Sequence, residues 1–222
     1  MAILVSLQVA RVRQFVTVSP TDDRAVEWHS AIDKRPVARS LRLGVTQLEG
    51  DEQADLKHHG GPDKALLAYS ADHYDAWRAE FPDRDWAYGG FGENLTIRGL
   101  DEPNVCLGDR FQIGECLVEV SQPRQPCWKL SRRWQLPELA ATVIRNGRTG
   151  WYLRVIATGM LSVGLPVELV ARPYPHMTVA WAHRIMHSPE RNFASDRELA
   201  DCPALAQSWR ETLLQRLAKN SN

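Results

Sequence analysis

Residues 121–131 read SQPRQPCWKLS, and the remaining sequence is interpreted as the scaffold that presents them. Pro123 and Pro126 each fix φ and lack a backbone N–H, which argues against the interior of a helix or of a central strand. This segment is therefore predicted to be a stiff loop. Residues 110–113 and 116–121 flank a Gly-Glu turn and look like a β-hairpin whose second strand delivers the loop.

Cys127 is the residue of this loop that could carry chemistry. Arg124 and Lys129 lie close to it in the sequence. Neighbouring positive charge favours the thiolate, which is the form that acts as a nucleophile or as a metal ligand. The alternative is a buried structural cysteine, because free cysteine is among the most buried residue types. The loop alone leaves both interpretations open.

The periodicity of the sequence predicts a mainly β protein with helices (α+β). Short segments rich in β-branched and aromatic residues are predicted as strands at 3–9, 15–18, 41–46, 65–69, 151–157 and 165–170. Helices are predicted at 72–81, 128–134 and 137–146. Many short strands with few helices favour a barrel-like β domain.

At residues 172–175 (RPYP) the composition changes. Three short helices are predicted beyond this point, at 177–186, 195–202 and 204–219, and Ser195 followed by Glu198 forms a plausible capping box. The predicted organisation is a β-barrel domain at 1–171 followed by a small three-helix domain at 172–222.

Composition excludes several classes of function. The 222 residues include 27 basic and 27 acidic side chains, so no global field attracts nucleic acid or an anionic membrane. The four cysteines form neither a CxxC pair nor a disulfide framework, which favours a reducing cytoplasm. The N-terminus is interpreted as a first strand rather than a signal peptide, and no apolar run has the length of a transmembrane helix.

Residues 55–69 read DLKHHGGPDKALLAY and form a second informative segment. Gly60 and Gly61 permit positive φ and a close backbone approach to a ligand, and Lys64 follows the turn. Exposed N–H groups beside a lysine can hold a phosphate, although the spacing is not that of a P-loop. Adjacent histidines on an extended backbone point to opposite faces, so a two-histidine metal clamp is not predicted.

Three further features are interpreted structurally or as weak binding signals. The aromatic residues of the helix at 72–81 recur at helical spacing and are predicted to be core. Lys34 and Arg35 are interpreted as solvated charges in a polar connection. Asn94 follows a glycine-rich turn and could bond to a polar heterocycle.

Four blocks occur in order: DLKHHGGPDKALLAY (55–69), GGFGENLTIRGL (89–100), LGDRFQIGE (107–115) and VSQPRQPCWKLS (120–131). Together they resemble the signature of MOSC-domain proteins of the YiiM type, and the tail resembles the three-helix domain of that subfamily. The resemblance implies a MOSC-type β-barrel that holds a molybdenum cofactor (molybdopterin), with the motif cysteine as a ligand of the metal.

Carried over by motif, Cys127 is the metal ligand and the catalytic residue. The resemblance also implies a set of cofactor-binding residues: His59, Gly60, Gly61, Lys64, Asn94, Arg124 and Lys129. A soft thiolate suits a transition metal, and phosphate and pterin need cationic and amide donors.

The family resemblance further implies the reaction and the partners. YiiM-type proteins are implicated in reducing N-hydroxylated base analogues such as 6-N-hydroxylaminopurine, a detoxification. The electrons come from a separate reductase, either a flavoprotein or an iron–sulfur protein. Neither pyridoxal phosphate nor nucleic acid nor a membrane is expected as a partner.

Two other functions stay open. In the first, Cys127 holds the molybdenum cofactor, or a sulfur atom as a persulfide, for delivery to another protein. In the second, the protein is a cysteine hydrolase, which requires a histidine within hydrogen-bond reach of the thiol. His58 or His59 could serve as that histidine.

Overall fold

A computed structural model of the chain describes residues 1–18, 25–55 and 60–220. The strands of the described residues, in chain order, are β1 (Ala2–Val9), β2 (Arg13–Val18), β3 (Ala25–Ser30), β4 (Arg35–Pro36), β5 (Leu41–Leu43), β6 (Leu66–Ser70), β7 (Leu95–Arg98), β8 (Arg110–Ile113), β9 (Cys116–Pro123), β10 (Trp151–Ala157), β11 (Gly159–Leu161) and β12 (Pro166–Ala171). The helices are α1 (His73–Glu80), α2 (Trp128–Trp134), α3 (Leu139–Asn146), α4 (Val179–His187), α5 (Phe193–Asp201) and α6 (Gln207–Asn220), with a 3₁₀ turn at Pro62–Lys64.

Seven of the described strands close into a barrel. Their order is β12, β8, β9, β10, β6, β7 and β1, and β1 pairs with β12 to complete the ring. All these neighbours are antiparallel except β6 and β7, which are parallel. Closure matters because it leaves the ring without unpaired strand edges. The predicted β-barrel is confirmed.

Several predicted boundaries were wrong. Strand β9 continues to Pro123, which pairs with Trp151, so the first three residues of the predicted loop belong to the sheet. A proline is tolerated there because it is the last residue of the strand. The strand predicted at 41–46 ends at Leu43, where Gly44 N–H donates to Gln47 O at 2.9 Å and turns the chain. Strands β3, β4 and β11 were not predicted.

The helices of the barrel domain agree with their sequence patterns. Tyr74 and Trp77 of α1 are fully buried and pack with Trp86 and Phe91 in an aromatic cluster beside the barrel, which confirms the interpretation of the aromatic stripe as core. Helices α2 and α3 also lie where they were predicted.

The C-terminal helices α4–α6, here called the three-helix unit, share one hydrophobic core with the barrel. Val179, Leu199 and Leu213 are buried in the same cluster as barrel residues. Backbone bonds reinforce this packing, including Leu107 N–H to Met177 O at 2.9 Å. The domain boundary at residue 172 remains a prediction.

The predicted capping box at the start of α5 is wrong. Asn192 is the N-cap residue, and its side-chain oxygen accepts from Ser195 N–H at 3.1 Å. Asparagine and serine are both good N-caps, so the sequence alone did not distinguish them. In the part of the chain that the structure describes, no helix is both long and apolar enough to cross a membrane.

Candidate functional site

The loop that carries Cys127 is a short link between a barrel strand and a helix. Arg124 N–H donates to Gly150 O at 3.0 Å, which continues the pairing of β9 with the chain next to β10. Cys127 is the N-cap residue of α2, in an extended conformation, and its carbonyl accepts from Leu130 N–H at 3.0 Å. The loop is thus held at both ends by regular structure.

A cleft with about 660 Å³ of open space, part of it continuous with solvent, lies against this loop. Five of the predicted site residues contribute to its wall although they come from separate parts of the sequence: Lys64, Asn94, Arg124, Cys127 and Lys129. The other described residues that line it belong to segments 30–34 and 51–55 and to Leu67, Phe91, Gly92 and Tyr152. Barrel closure brings these segments together.

Arg124, Cys127 and Lys129 form what we call the loop wall of the cleft. Arg124 is only 4% exposed, and its Nη2 donates to Phe91 O at 3.3 Å. Its Nη1 is buried and has no hydrogen-bond partner in the described part of the protein. A buried guanidinium normally satisfies its donors, so this N–H group is suited to an anionic or strongly polar ligand.

Lys129 of the loop wall and Lys64, which also lines the cleft, add positive charge. Lys129 Nζ donates to His29 O at 3.0 Å at the exposed rim. Lys64 Nζ lies 5.8 Å from the centre of the Tyr152 ring, and burial lowers the pKa of Lys64 while the Asp63 and Asp55 carboxylates oppose that shift. Burial also raises the pKa of Tyr152, so its phenol stays protonated near neutral pH.

Cys127 differs from the other three cysteines, all of which are free thiols. Cys127 is partly exposed, whereas Cys106, Cys116 and Cys202 are buried. Burial raises the pKa of each of these three thiols, to about 11 for Cys116. Buried protonated thiols are poor nucleophiles and poor metal ligands.

Lys34, Asp51 and Asn94 also line the cleft and form a second group of residues, here called the inner wall. The interpretation of Lys34 as a solvated charge is wrong, because Lys34 is 7% exposed and forms a buried ion pair with Asp51. Burial lowers the pKa of Lys34 even though the Asp51 carboxylate opposes the shift. No local signal in the sequence indicated this pair, since the two residues are joined only by the fold.

Asn94 supports the inner wall and does not offer a free amide to the cleft. Its Oδ1 accepts from Leu67 N–H at 3.1 Å, and its Nδ2 donates to Asp51 Oδ2 at 2.9 Å and to Gln8 O at 3.3 Å. These bonds use the amide groups that the sequence analysis assigned to a heterocyclic ligand. The residue lines the cleft, but its observed bonds are structural.

Glu93 shapes the glycine-rich segment before β7. The carboxylate is fully buried and accepts from Tyr74 OH, from Gly89 N–H at 2.7 Å and from Phe91 N–H at 3.1 Å. These bonds fix Phe91, whose carbonyl accepts from Arg124. Glu93 therefore helps to position the loop wall, a role that the sequence analysis missed. The available signal in the sequence was a carboxylate between a glycine-rich turn and a strand.

The glycine turn is placed beside the cleft rather than in its wall. Gly61 has φ 92° and ψ 177°, a conformation that is essentially restricted to glycine. A Cβ built on Gly61 would meet no atom within 4 Å among the described residues. Gly60 and Gly61 are absent from the lining, and His58 and His59 lie outside the described residues.

Histidine does not contribute to the described part of the cleft lining. The described residues also contain no cluster of three or more His, Cys, Asp or Glu side chains arranged to hold a metal ion. Cys127 is therefore the soft donor that the described wall presents, next to the buried donors of Arg124.

Two family models match the chain. The MOSC domain model matches residues 55–168, and the YiiM-like, 3-alpha helix domain model matches residues 177–220. Protein YiiM of Escherichia coli (strain K12) is 43% identical over 192 residues, which cover 84% of this chain and 84% of that protein. A protein of Gibberella moniliformis named reductase is 39% identical over 182 residues, which cover 81% of this chain and 32% of that protein.

A solved structure agrees with these matches. The crystal structure of YiiM from Geobacillus stearothermophilus superimposes with a TM-score of 0.81 at 36% identity, covering 98% of this chain and 100% of that chain. Barrel, three-helix unit and sequence blocks thus point to the same relatives. The chain belongs to the MOSC-domain family and, within it, to the YiiM-like proteins that carry a three-helix C-terminal domain.

Proposed function

We propose that this protein is a molybdenum cofactor-dependent reductase of N-hydroxylated small molecules such as 6-N-hydroxylaminopurine. One observation carries the proposal: the partly exposed thiol of Cys127 shares a cleft with Arg124, whose buried Nη1 has no partner among the described residues. A soft donor next to an unsatisfied cationic donor fits a group that combines a transition metal with an anionic organic part.

The residues of the loop wall would hold that group. The Cys127 thiolate would ligate molybdenum, while Arg124 would donate to a phosphate or to a polar edge of the pterin. Lys64 and Lys129, which also line the cleft, would add positive charge. The inner wall would act indirectly, because its charges are already paired and give the cleft a fixed shape.

The bound cofactor would supply two-electron chemistry, and the protein would bind and orient it. An N-hydroxylamine accepts two electrons and two protons, its N–O bond breaks, and an amine and water are released. The electrons would come from a separate flavoprotein or iron–sulfur reductase. The reductase name of one relative, which the chain matches over part of its length, supports this class of reaction. Four free thiols fit a cytoplasmic protein.

The test compares Cys127→Ser with Cys116→Ser in protein made by a host that synthesises the cofactor. Serine retains the shape but offers a hydroxyl that stays protonated near neutral pH, so Cys127→Ser is expected to lose both molybdenum and reduction of 6-N-hydroxylaminopurine. Cys116→Ser changes a buried thiol away from the cleft and is expected to keep both. Metal analysis and turnover with an artificial electron donor are the measurements.

Three results would contradict the proposal. A folded Cys127→Ser protein that keeps molybdenum and activity would remove the ligand assignment. Wild-type protein without molybdenum would favour the hydrolase alternative. Wild-type protein that holds molybdenum but reduces no N-hydroxylated base would favour the carrier alternative, in which Cys127 holds cofactor for delivery.

A further inference from the structure

Asp63 lies in the turn between the glycines and Lys64, and its carboxylate connects the barrel with the three-helix unit. One oxygen, Oδ1, accepts from Arg154 Nε at 3.0 Å and pairs with Arg154 Nη2 at 2.8 Å. The other, Oδ2, accepts from the backbone N–H of Gln207, the first residue of α6, at 3.1 Å. A carboxylate at this position satisfies a free helical N–H and interacts favourably with the helix dipole.

Neighbouring contacts join the same end of α6 to the strand that leads to Cys127. Ala206 N–H donates to Ser121 O at 2.9 Å, and Ser208 Oγ donates to Gln122 Oε1 at 3.3 Å. Ser121 Oγ donates in turn to the carbonyl of Asp63. The start of α6 therefore contacts both chain segments that deliver functional side chains to the cleft.

The turn has little apolar support of its own. None of the three residues of its 3₁₀ helix is buried. Within the turn, Lys64 N–H donates to Gly61 O at 3.0 Å. The chain enters the core only at Ala65, directly after the turn, so polar contacts also set the position of Lys64, and Asp63 makes most of those described for the turn.

We infer that Asp63 is a positioning residue through which the three-helix unit holds the Lys64 turn in its place beside the cleft. The unit is then part of the site's support as well as an appended domain. The functional half of this inference, that the held turn retains the cofactor, rests on the proposed function. The structural half, that α6 orders the turn, does not.

A pair of substitutions at Gln207 isolates the bond between the two regions. Gln207→Pro removes the N–H donor, and proline is well tolerated at the first position of a helix. Gln207→Ala keeps the N–H and removes only the side chain, including its bond to Glu211. The two variants lack the same side-chain bond, so their difference reports the bond to Asp63.

Hydrogen exchange of the full-length protein measures the structural half. Peptides covering 60–66 are expected to exchange about tenfold faster in Gln207→Pro than in Gln207→Ala, the size expected for losing one hydrogen bond to a charged acceptor. Peptides from α4 are expected to exchange equally in both variants, which separates local loosening from global unfolding. Asp63→Ala, which also removes the Arg154 pair, is expected to loosen the turn further.

Molybdenum retained per protein chain measures the functional half. If Gln207→Pro and Gln207→Ala exchange alike in 60–66, the inference is overturned whatever the metal content. If the turn loosens and wild-type protein holds molybdenum that Gln207→Pro retains equally, the functional half is wrong. If the turn loosens while wild-type protein holds no molybdenum, the proposed function fails and the structural half stands.

Discussion

The two walls of the cleft bury charge in different ways. On the inner wall, Lys34 and Asp51 pair with each other, and Asn94 donates a further bond to Asp51. On the loop wall, Arg124 is as deeply buried but has a guanidinium N–H with no described partner, next to a partly exposed thiol. Complete pairing is what a structural charge requires, and incomplete pairing is what a ligand site requires. The difference separates support from function within a single cleft.

The largest effect is expected on the inner wall. Asp51→Ala leaves the buried Lys34 ammonium without its counter-charge and removes one of the two acceptors of the Asn94 amide, so the free energy of unfolding should fall by roughly 3–5 kcal/mol. Urea denaturation measures this. Arg39→Ala, which breaks an exposed pair with Glu49 at 3.0 Å, is the control and should leave the free energy of unfolding nearly unchanged. Equal losses in the two variants would mean that the inner wall is not a structural charge pair.

Arg124→Met tests the loop wall, where we expect stability to be kept and cofactor to be lost. Arg124 forms no ion pair with a described residue and has one unpaired N–H group, and replacing such a buried charge by an apolar side chain is often neutral or stabilising, so the melting temperature should stay the same or rise. Retained molybdenum should nevertheless fall by about tenfold or more, as expected for losing a charge-assisted bond to the cofactor. A variant that is strongly destabilised and keeps its metal would reverse the distinction between the walls.

Gly61→Ala asks whether the turn beside the loop wall contributes to binding. Because φ at Gly61 is positive, the alanine side chain strains the backbone, and the free energy of unfolding should fall by roughly 1–3 kcal/mol. Gly164→Ala is a matched control, because Gly164 has φ 91° and an added Cβ there also meets nothing within 4 Å of the described atoms. Both variants should lose similar stability, and only Gly61→Ala should lose cofactor. Equal cofactor content would make the turn purely structural.

The smallest effect on stability is expected for two histidines of α4. They test whether a buried nitrogen without a hydrogen-bond partner is by itself evidence for a ligand site. His183 and His187 have ring centres 4.6 Å apart, and each has a buried nitrogen without a partner in the described residues. Burial, followed by the charges of His183, Arg216 and Arg191, lowers the pKa of His187 to about 4. The unfolded chain, with a pKa near 6.5, therefore binds more protons between these values, and stability should fall as pH drops from about 6.5 to 4.

Urea denaturation at neutral pH and near pH 4.5 measures that loss, which should be on the order of 1 kcal/mol from His187. His187→Leu should reduce it, and His29→Leu, which changes an exposed histidine, should not. Molybdenum retention should not change in His187→Leu. If it did, an unpaired nitrogen outside the cleft lining would also affect the site, and the unpaired donor of Arg124 would no longer distinguish the loop wall.

Sequence reasoning succeeded where the residues of a short segment determine its structure by themselves. Helix α2 begins and ends where predicted, and the hairpin of β8 and β9 follows from a turn and two alternating strands. Cys127 was singled out because basic and proline residues surround it within ten positions. The family resemblance, confirmed by the model matches, supplied the barrel and the tail.

Sequence reasoning failed where the environment of a residue depends on segments that are distant in the sequence. Lys34 was interpreted as solvated because its partner Asp51 is reached only through the fold. The three bonds of Asn94 also lead to other segments, so its structural role was not visible in the sequence, and its role in ligand binding stays a prediction. The capping of α5 by Asn192 was missed because two competent caps stand close together. Solvation and pairing are properties of an environment, and a linear pattern contains only part of that environment.

Local composition and periodicity were thus enough for the class of fold and for most helices and strands, and they drew attention to Cys127, whose role stays a prediction. Only the closed barrel decided which charges are paired, which donor of Arg124 is left over, and that α6 contacts the turn before Lys64. The physical reason is that turns and helices arise from neighbouring residues, whereas burial and hydrogen-bond partners depend on segments that meet only after closure.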